Sequence, residues 1–532
     1  MLGFGGLLLL FAAPFFLRMP LTNDAALFDL QTRMIAEGSV PYRDVLEPNW
    51  PGVFWVHGVV RSVLGTSSEA LRLFDLSIVL VLCSMLRHLA VLGGATQRGA
   101  AWLSLAVMVF YLSCSEWCHC QRDTWLLVPM TAAVCLRLRR LNGELTPRVD
   151  TLAALGEGFL WGAACWLKPY AALVAVSVWV ATLPRFSTWR KVATDTGLVI
   201  VGGVIAGICG VTWLVRTGAW PFWLETMRDW NPRYLAAGRE NWVRPRFEAM
   251  FWRMQPWYWL HLLALPLALN ELRKLIQAMR ARPRETNNVI ELACVTQAAA
   301  AAIYLATLAH VFILQHLFDY VHAPAVMLAL VVVGTWLAQP QRSRHWRFVI
   351  VAFGLIAAVQ SPLLKPQRVR LWWACVTQPS SAKLQDRLAL LPNPHRVHLE
   401  RVAEFLSQKK PDRNSVNILN SDLVGLYARL DLRPPTRFVY VWELLLYFPQ
   451  QRDLIMSELA HSGHRFIVSD LVSCGMSPRD AWEIGPDGPH ALPPKYRAGQ
   501  RGKYPWSQPV VFRSGPYLVH EVIWPLGKPS LP

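Results

Sequence analysis

Charge is scarce in this chain. Only 17% of its 532 residues are Asp, Glu, Lys or Arg, against 53% apolar residues, and the mean hydropathy is +0.27. That balance excludes an ordinary soluble globule of this length. Acids are the scarcer sign, 35 against 53 Lys and Arg, for a net charge of +18. No basic run interleaved with stacking aromatics accompanies that excess, which excludes a nucleic-acid groove. Paired C-x-x-C elements, internal repeats and low-complexity tracts are also missing, and the first of these absences removes the recognised zinc patterns. Most of the ten Cys lie in apolar segments and read as small hydrophobes. The exception is "CSEWCHC", with Cys114, Cys118, His119 and Cys120. Its spacing leaves a metal or a disulfide open beside the simpler reading, packed free thiols. The opening "MLGFGGLLLLFAAPFFLRMP" lacks a basic n-region and a small-x-small cleavage site, so it reads as a retained first helix.

What is present is a series of apolar runs of about 18 to 22 residues, long enough to cross a bilayer as helices. They begin near Leu2, Leu71, Gly99, Thr124, Leu152, Tyr170, Thr194, Trp257, Val289, Phe318 and Phe348. The expectation is a polytopic all-α membrane protein of about eleven transmembrane helices. The 25 Trp suit belts at the membrane–water interface.

The bases gather in short clusters between runs: "RLRRLNGELTPR", "RFSTWRK", "RKLIQAMRARPR" and "QRSRHWR". With a cytoplasmic N-terminus, alternation puts every rich cluster on the cytoplasmic side, as the positive-inside tendency requires. The opposite face then receives the first outer loop, 21–69, together with "CSEWCHCQRD", "WLKPY", the Trp-rich segment from Arg216 to Gln255, and "LQHLFDY". These segments carry Asp24, Asp29, Arg43, Asp44, Arg122, Asp123, Lys168, His316, Asp319 and His322. Acids and bases from distant segments at one membrane face suggest a shared pocket.

Within the first outer loop, "DAALFDLQTRMIAEG" sets Leu27, Leu30 and Met34 on one side of a helix that ends at Gly38. It reads as an amphipathic helix lying in the interface. A proline-punctuated loop, "SVPYRDVLEPNWPG", leads to a second short interfacial helix, "VFWVHGVVRSVLG", and the pair would roof a site at the bilayer surface. Residues 1–362 are read as the membrane domain. From 363 to 532 no spanning run occurs, and helical patterns alternate with short β-like runs ("SVNILN", "TRFVYVW", "RFIVSD"). That suits a C-terminal α/β domain, placed outside the cytoplasm by an odd number of spans.

Transfer of a sugar from a lipid phosphate needs a carboxylate to deprotonate the acceptor hydroxyl and cations to hold the departing phosphate. Asp24, at the end of the first run, stands at the depth for that base. Arg43, Arg122 and Lys168 are outward cations able to bind a phosphate by charge-assisted hydrogen bonds. Plainer roles exist for each. Asp24, Asn23 or Thr22 could cap the helix, Arg43 and Asp44 could pair with each other, and Arg122, Asp123 and Lys168 could snorkel to the interface. His316 and His322 suit packing or hydrogen bonding, and Asp319 and Tyr320 are candidates for contacting the donor.

The stretch "NDAALFDLQTRMIAEGSVPYRDVLEPNWPGVFWVHGVV" resembles the first outer loop of the C-type (GT-C) glycosyltransferases. The likeness is to the bacterial branch related to protein O-mannosyltransferases and lipid A aminoarabinose transferases. The shared pattern is an acid after the first span, then G-x-x-P-Y-R-D and a proline-bounded helix. Here those residues are Asp24, Gly38, Pro41, Tyr42, Arg43, Asp44, Pro48 and Pro51. "CQRDTW", with Arg122 and Asp123, is similar to the second outer-loop motif, and "LKPY" and "LQHLFDYVHAP" are similar to later ones. The mannosyltransferases carry two adjacent acids where this chain has Asn23 before Asp24.

The resemblance implies a GT-C-like fold in the cell (inner) membrane, with site and C-terminal domain extracytoplasmic. It implies inverting transfer from a polyprenyl-phosphate sugar to a glycolipid, polysaccharide or protein. Asp24, Asp44 and Asp123 would be the catalytic acids, and Tyr42, Arg43, Arg122, Lys168, His316, Asp319 and Tyr320 would bind substrate or phosphate. No cofactor and no metal ligand are assigned; divalent-ion assistance stays open, and the other expected partner is membrane lipid. The competing class is a transporter or flippase of a lipid-linked or small polar substrate, which would place charges near mid-bilayer.

Overall fold

The computed structural model describes residues 2–143, 145–240, 244–281, 290–314, 318–339, 345–484, 490, 492 and 503–525. A helix stands at each of the apolar runs: α1 (Leu2–Arg18), α4 (Ser68–Leu92), α5 (Gln97–Ser113), α6 (Arg122–Leu141), α7 (Pro147–Leu167), α8 (Ala171–Thr182), α9 (Trp189–Arg216), α13 (Leu260–Ala281), α14 (Leu292–Leu314), α15 (Asp319–Leu337) and α16 (His345–Gln360). The first outer loop folds as α2 (Asn23–Ala36) and α3 (Gly52–Leu64), and the Trp-rich segment holds α10 (Trp220–Glu225), α11 (Asn231–Glu240) and α12 (Arg244–Arg253). Among the described residues α4, α9, α14 and α15 are long and apolar enough to cross a bilayer, and α1 and α2 form a pair bent by 65°. This is a multi-pass membrane protein. Helix starts follow local chemistry: Thr22, Ser67, Thr96 and Thr188 each accept a backbone N–H of the first turn, and Pro147 opens α7 where a missing N–H costs nothing.

Small residues let the helices close up. Gly158 of α7 lies so near α9 that a Cβ there would fall 1.9 Å from the Val199 carbonyl oxygen, and one on Gly202 would fall 2.0 Å from that of Leu155. Apolar lipid offers no hydrophobic drive for helix pairing, so such backbone approach carries the packing. The same two helices meet α6 in a buried ionic cluster. Arg137 reaches Glu157 at 3.0 Å and Asp195 at 3.2 Å, and Arg140 reaches Glu157 at 2.8 Å and Asp195 at 2.5 Å. Buried charges persist only when paired in this way.

The C-terminal sheet has the strand order β1-β2-β4-β3, with β1 (Val416–Ile418), β2 (Phe466–Asp470), β3 (Val510–Ser514) and β4 (Tyr517–Glu521). β1 and β2 are parallel; β4 runs antiparallel to both β2 and β3. The β3–β4 turn uses Gly515 at φ +58, a left-handed conformation that suits glycine. "SVNILN" and "RFIVSD" are strands as read, but "TRFVYVW" is not. Its backbone is used elsewhere: the Arg437 carbonyl accepts Leu46 N–H at 2.8 Å, and Val441 and Trp442 both donate to the Leu419 carbonyl as helix Val441–Tyr447 begins.

One expectation needs correction. Leu27, Leu30 and Met34 do not face lipid. They share a core with Val402, Leu406, Ile418, Leu423 and Tyr427 of the C-terminal part. Protein supplies the apolar cover that a bilayer was expected to supply, so α2 is sandwiched between two protein bodies. α3 is two-faced: Val53, Phe54 and Val60 are buried while Val59 and Val63 are exposed.

Candidate functional site

One end of the helical bundle borders an open cleft of about 540 Å³, whose walls include Asn49, Arg122, Lys168, Tyr170, Tyr234 and Tyr320. Arg122 is the first residue of α6. Its Nη2 donates to Asn49 Oδ1, and its guanidinium lies 5.8 Å from the Phe28 ring centre. Lys168 sits in the turn between α7 and α8, and its Nζ is 2.5 Å from Asp123 Oδ1, both side chains being buried. Burial pushes the lysine pKa down to about 8, opposed by Asp123 and assisted by Arg122.

Asp24 is not the helix cap. Thr22 holds that place, its hydroxyl accepting Ala25 N–H at 3.3 Å, which leaves the Asp24 carboxylate for other partners. Those are the Tyr320 hydroxyl and Gln121 Nε2 at 3.5 Å. Asp24 retains some exposure, yet the surrounding protein raises its pKa, the Arg122 charge pulling the other way. It stands behind Tyr320, one hydrogen bond from the cleft wall.

The loop that follows α2 contributes a residue that the motif reading passed over. Glu47 is 2% exposed and takes hydrogen bonds from Gln31 Nε2 at 3.1 Å, Asn49 N at 3.0 Å and Asn49 Nδ2 at 2.5 Å. Burial raises its pKa, while Arg122 lowers it. Asn49 thus links Glu47 to Arg122. The available signal was an acid two residues before an Asn in a proline-bounded loop, "EPN". Tyr234 in the cleft wall was equally unsignalled.

The other expected residues fall elsewhere. Tyr42, buried at φ +66, donates its hydroxyl to the Asn49 carbonyl at 2.9 Å and so braces the loop. Arg43 and Asp44 pair with each other at 2.7 Å, and Asp44 also accepts Val40 N–H at 2.7 Å; neither lines the cleft. Asp319 pairs with Arg253 at 3.0 Å. His322 meets the Tyr258 hydroxyl at 3.2 Å. His316 lies outside the described residues. His119 of the cysteine-rich stretch is held by the Tyr111 carbonyl at 2.9 Å and by Arg72 at 3.3 Å. Among the described residues no group of three His, Cys, Asp or Glu is placed to hold a metal ion.

Several Trp do more than mark an interface. Trp50 and Trp55 lie 5.2 and 5.5 Å from Trp166, and Trp50 lies 5.5 Å from Trp223. This cluster packs the proline-bounded loop and α3 onto α7 and α10.

A helical membrane bundle whose cleft is roofed by a two-helix loop and capped by a small α/β unit is a fold already seen in a solved membrane protein. The particular likeness is to ArnT from Cupriavidus metallidurans bound to undecaprenyl phosphate, with a TM-score of 0.56 at 15% identity, covering 98% of this chain and 97% of that one. The apo form of the same protein gives 0.54 at 14% identity, covering 96% of each chain. No family model matches the chain, and no curated protein matches it by sequence.

Proposed function

We propose that the chain is a membrane glycosyltransferase that moves a sugar from a polyprenyl-phosphate-linked donor to an acceptor outside the cytoplasm. One observation carries the reading: two cations, Arg122 and Lys168, line one cleft, and a carboxylate, Asp24, stands one hydrogen bond behind its wall at Tyr320, the three coming from separate segments. The solved ArnT with undecaprenyl phosphate bound supports a lipid-phosphate donor for a chain of the same fold.

In this reading the acceptor hydroxyl replaces Tyr320 on Asp24 and passes its proton to the carboxylate as its oxygen attacks the anomeric carbon. The bond from that carbon to the phosphate oxygen breaks, and its electron pair leaves with the lipid phosphate. Arg122 and Lys168 hold the charge that develops there. Asp123 keeps the buried lysine protonated, and Glu47 with Asn49 holds Arg122 in place. Attack opposite the departing phosphate inverts the anomeric centre. Arg43, Asp44 and Tyr42 shape the loop.

The test is transfer from a panel of polyprenyl-phosphate sugars in membranes holding equal amounts of folded wild type or Asp24→Asn. Turnover that collapses in the variant supports the enzyme and its base together. Turnover untouched by the change removes Asp24 as base. Solute flux without transfer from any donor overturns the reading in favour of a transporter.

A further inference from the structure

α2 presents two stripes to two bodies. Asn23, Leu27, Leu30 and Met34, spaced i, i+4, i+7 and i+11, form one side. The three apolar members are buried in the core shared with the C-terminal part, and Asn23 Nδ2 donates to Asp422 Oδ1. Asp24, Phe28 and Gln31, at i, i+4 and i+7, form the other. They meet Gln121 and Tyr320, the Arg122 guanidinium, and Glu47 respectively. Asn23 and Asp24 therefore head adjacent stripes about 100° apart around the helix, and whatever holds Asn23 sets the heading of Asp24.

Asp422 is itself fixed. It lies in the turn Ser421–Leu423 after β1 and accepts Ser473 Oγ at 2.7 Å; that hydroxyl is also 2.7 Å from Asp470 Oδ2 at the end of β2. The far end of α2 is gripped on the same side. Arg33 reaches Asp431 at 3.1 Å and the Leu432 carbonyl at 2.5 Å, and Glu37 reaches Arg433 at 2.9 Å. The last-turn contacts and the apolar stripe hold the helix against the sheet; the Asn23 contact acts on the turn that carries the acid.

We propose that Asp422 is a positioning residue for the transfer reaction: by accepting Asn23 Nδ2 it sets the rotation of the first turn of α2 and so aims Asp24 at the acceptor hydroxyl. The inference rests on the reading of Asp24 as the base. It gives the C-terminal unit a part in catalysis without contact with the reacting atoms.

The test uses the full chain in proteoliposomes, with Asp422→Ala, Asn23→Asp and the exchange Asn23→Asp with Asp422→Asn. Asp422→Ala is expected to lower kcat by about tenfold to a hundredfold, the usual result of misplacing a reacting group, with donor KM within about threefold of wild type. Asn23→Asp sets two carboxylates face to face and is expected to fall at least as far. The exchanged pair restores a donor opposite an acceptor and is expected to recover turnover to within about threefold of wild type. Melting temperatures separate aim from folding: an exchanged pair that melts like wild type yet stays as slow as Asn23→Asp overturns the proposal. So does Asp422→Ala turning over at the wild-type rate. If the wild type itself transfers from no donor, the glycosyltransferase reading falls and this one with it. If the wild type is active and the variants match it, only the positioning role falls.

Discussion

Lys168 and Asp123 form a closed ion pair, 2.5 Å from Nζ to Oδ1, with the lysine in the wall of the cleft. The pair keeps a cation where burial would strip its proton. The balance is close, since the lysine is held down to about 8. As pH rises through that value Lys168 loses its charge, and donor KM is expected to rise. Lys168→Arg, which stays charged, should flatten that limb. Steady-state kinetics from pH 7 to pH 9 check both, and a donor KM unchanged across the range would remove Lys168 from phosphate binding.

Breaking the pair from the other side should be costly to the fold. Asp123→Ala leaves the buried ammonium without its carboxylate, and loss of one partner of a buried pair costs about 3 to 5 kcal/mol unless the survivor neutralises. The expected result is a lower melting temperature near neutral pH and a smaller deficit above pH 9, where Lys168 is neutral. Thermal unfolding in detergent at the two pH values measures the difference.

Asp24 must be ionised to accept a proton. Burial raises its pKa, so the acid limb of kcat/KM is expected above the ordinary aspartate value of about 4. Asp24→Asn should lower kcat by about a hundredfold or more and abolish that limb. Tyr320→Phe frees the carboxylate of a hydrogen bond and should move the limb to higher pH, because that bond lowers the Asp24 pKa.

In the C-terminal unit, burial pushes Asp470 up to about 6 and Glu443 up to about 7, the charge of Asp422 adding to both. Folded-state values above the unfolded ones mean that the native protein binds protons the unfolded chain has released. Their contribution is therefore complete below about pH 4 and is lost as pH rises through 6 and 7. Stability should fall by about 4 kcal/mol between pH 5 and pH 8. Glu443→Gln and Asp470→Asn should each flatten the slope of melting temperature against pH relative to wild type.

Gly158 tests the bundle. A Cβ would meet the Val199 carbonyl at 1.9 Å, and that partner is backbone, which cannot turn aside. Gly158→Ala is expected to lower stability by about 1 to 3 kcal/mol, as overpacking does, while Gly207→Ala, with nothing within 4 Å, should be close to neutral. Paired unfolding curves decide it.

Much of this was readable from the chain because membrane helices announce themselves by length and apolarity. A helix occupies each of the runs starting near Leu2 through Phe348, and Gly38 follows the end of α2 at φ +95. Arg122 and Lys168 both line the cleft, and the sequence reading groups them at one face. What stayed hidden depended on contacts far apart in sequence. Leu27, Leu30 and Met34 make the same stripe whether lipid or protein covers it, so pattern alone could not identify the cover. Glu47 looks like any loop acid until Gln31 and Asn49 are seen around it. Val439 and Val441 look like strand residues, but the Arg437 carbonyl between loop and sheet takes Leu46 as its partner. The cation Arg43 carried a strong motif but pairs with its own neighbour, Asp44.

The sandwiching of α2 has a consequence for how the molecule is made. Synthesis delivers Leu27, Leu30 and Met34 long before Val402, Ile418 or Tyr427 exist to cover them, and chains begin to fold from the N-terminus as they emerge. In that interval the apolar side of α2 lacks the protein cover it has in the finished fold. The core around α2 is therefore completed only once the C-terminal part has been made.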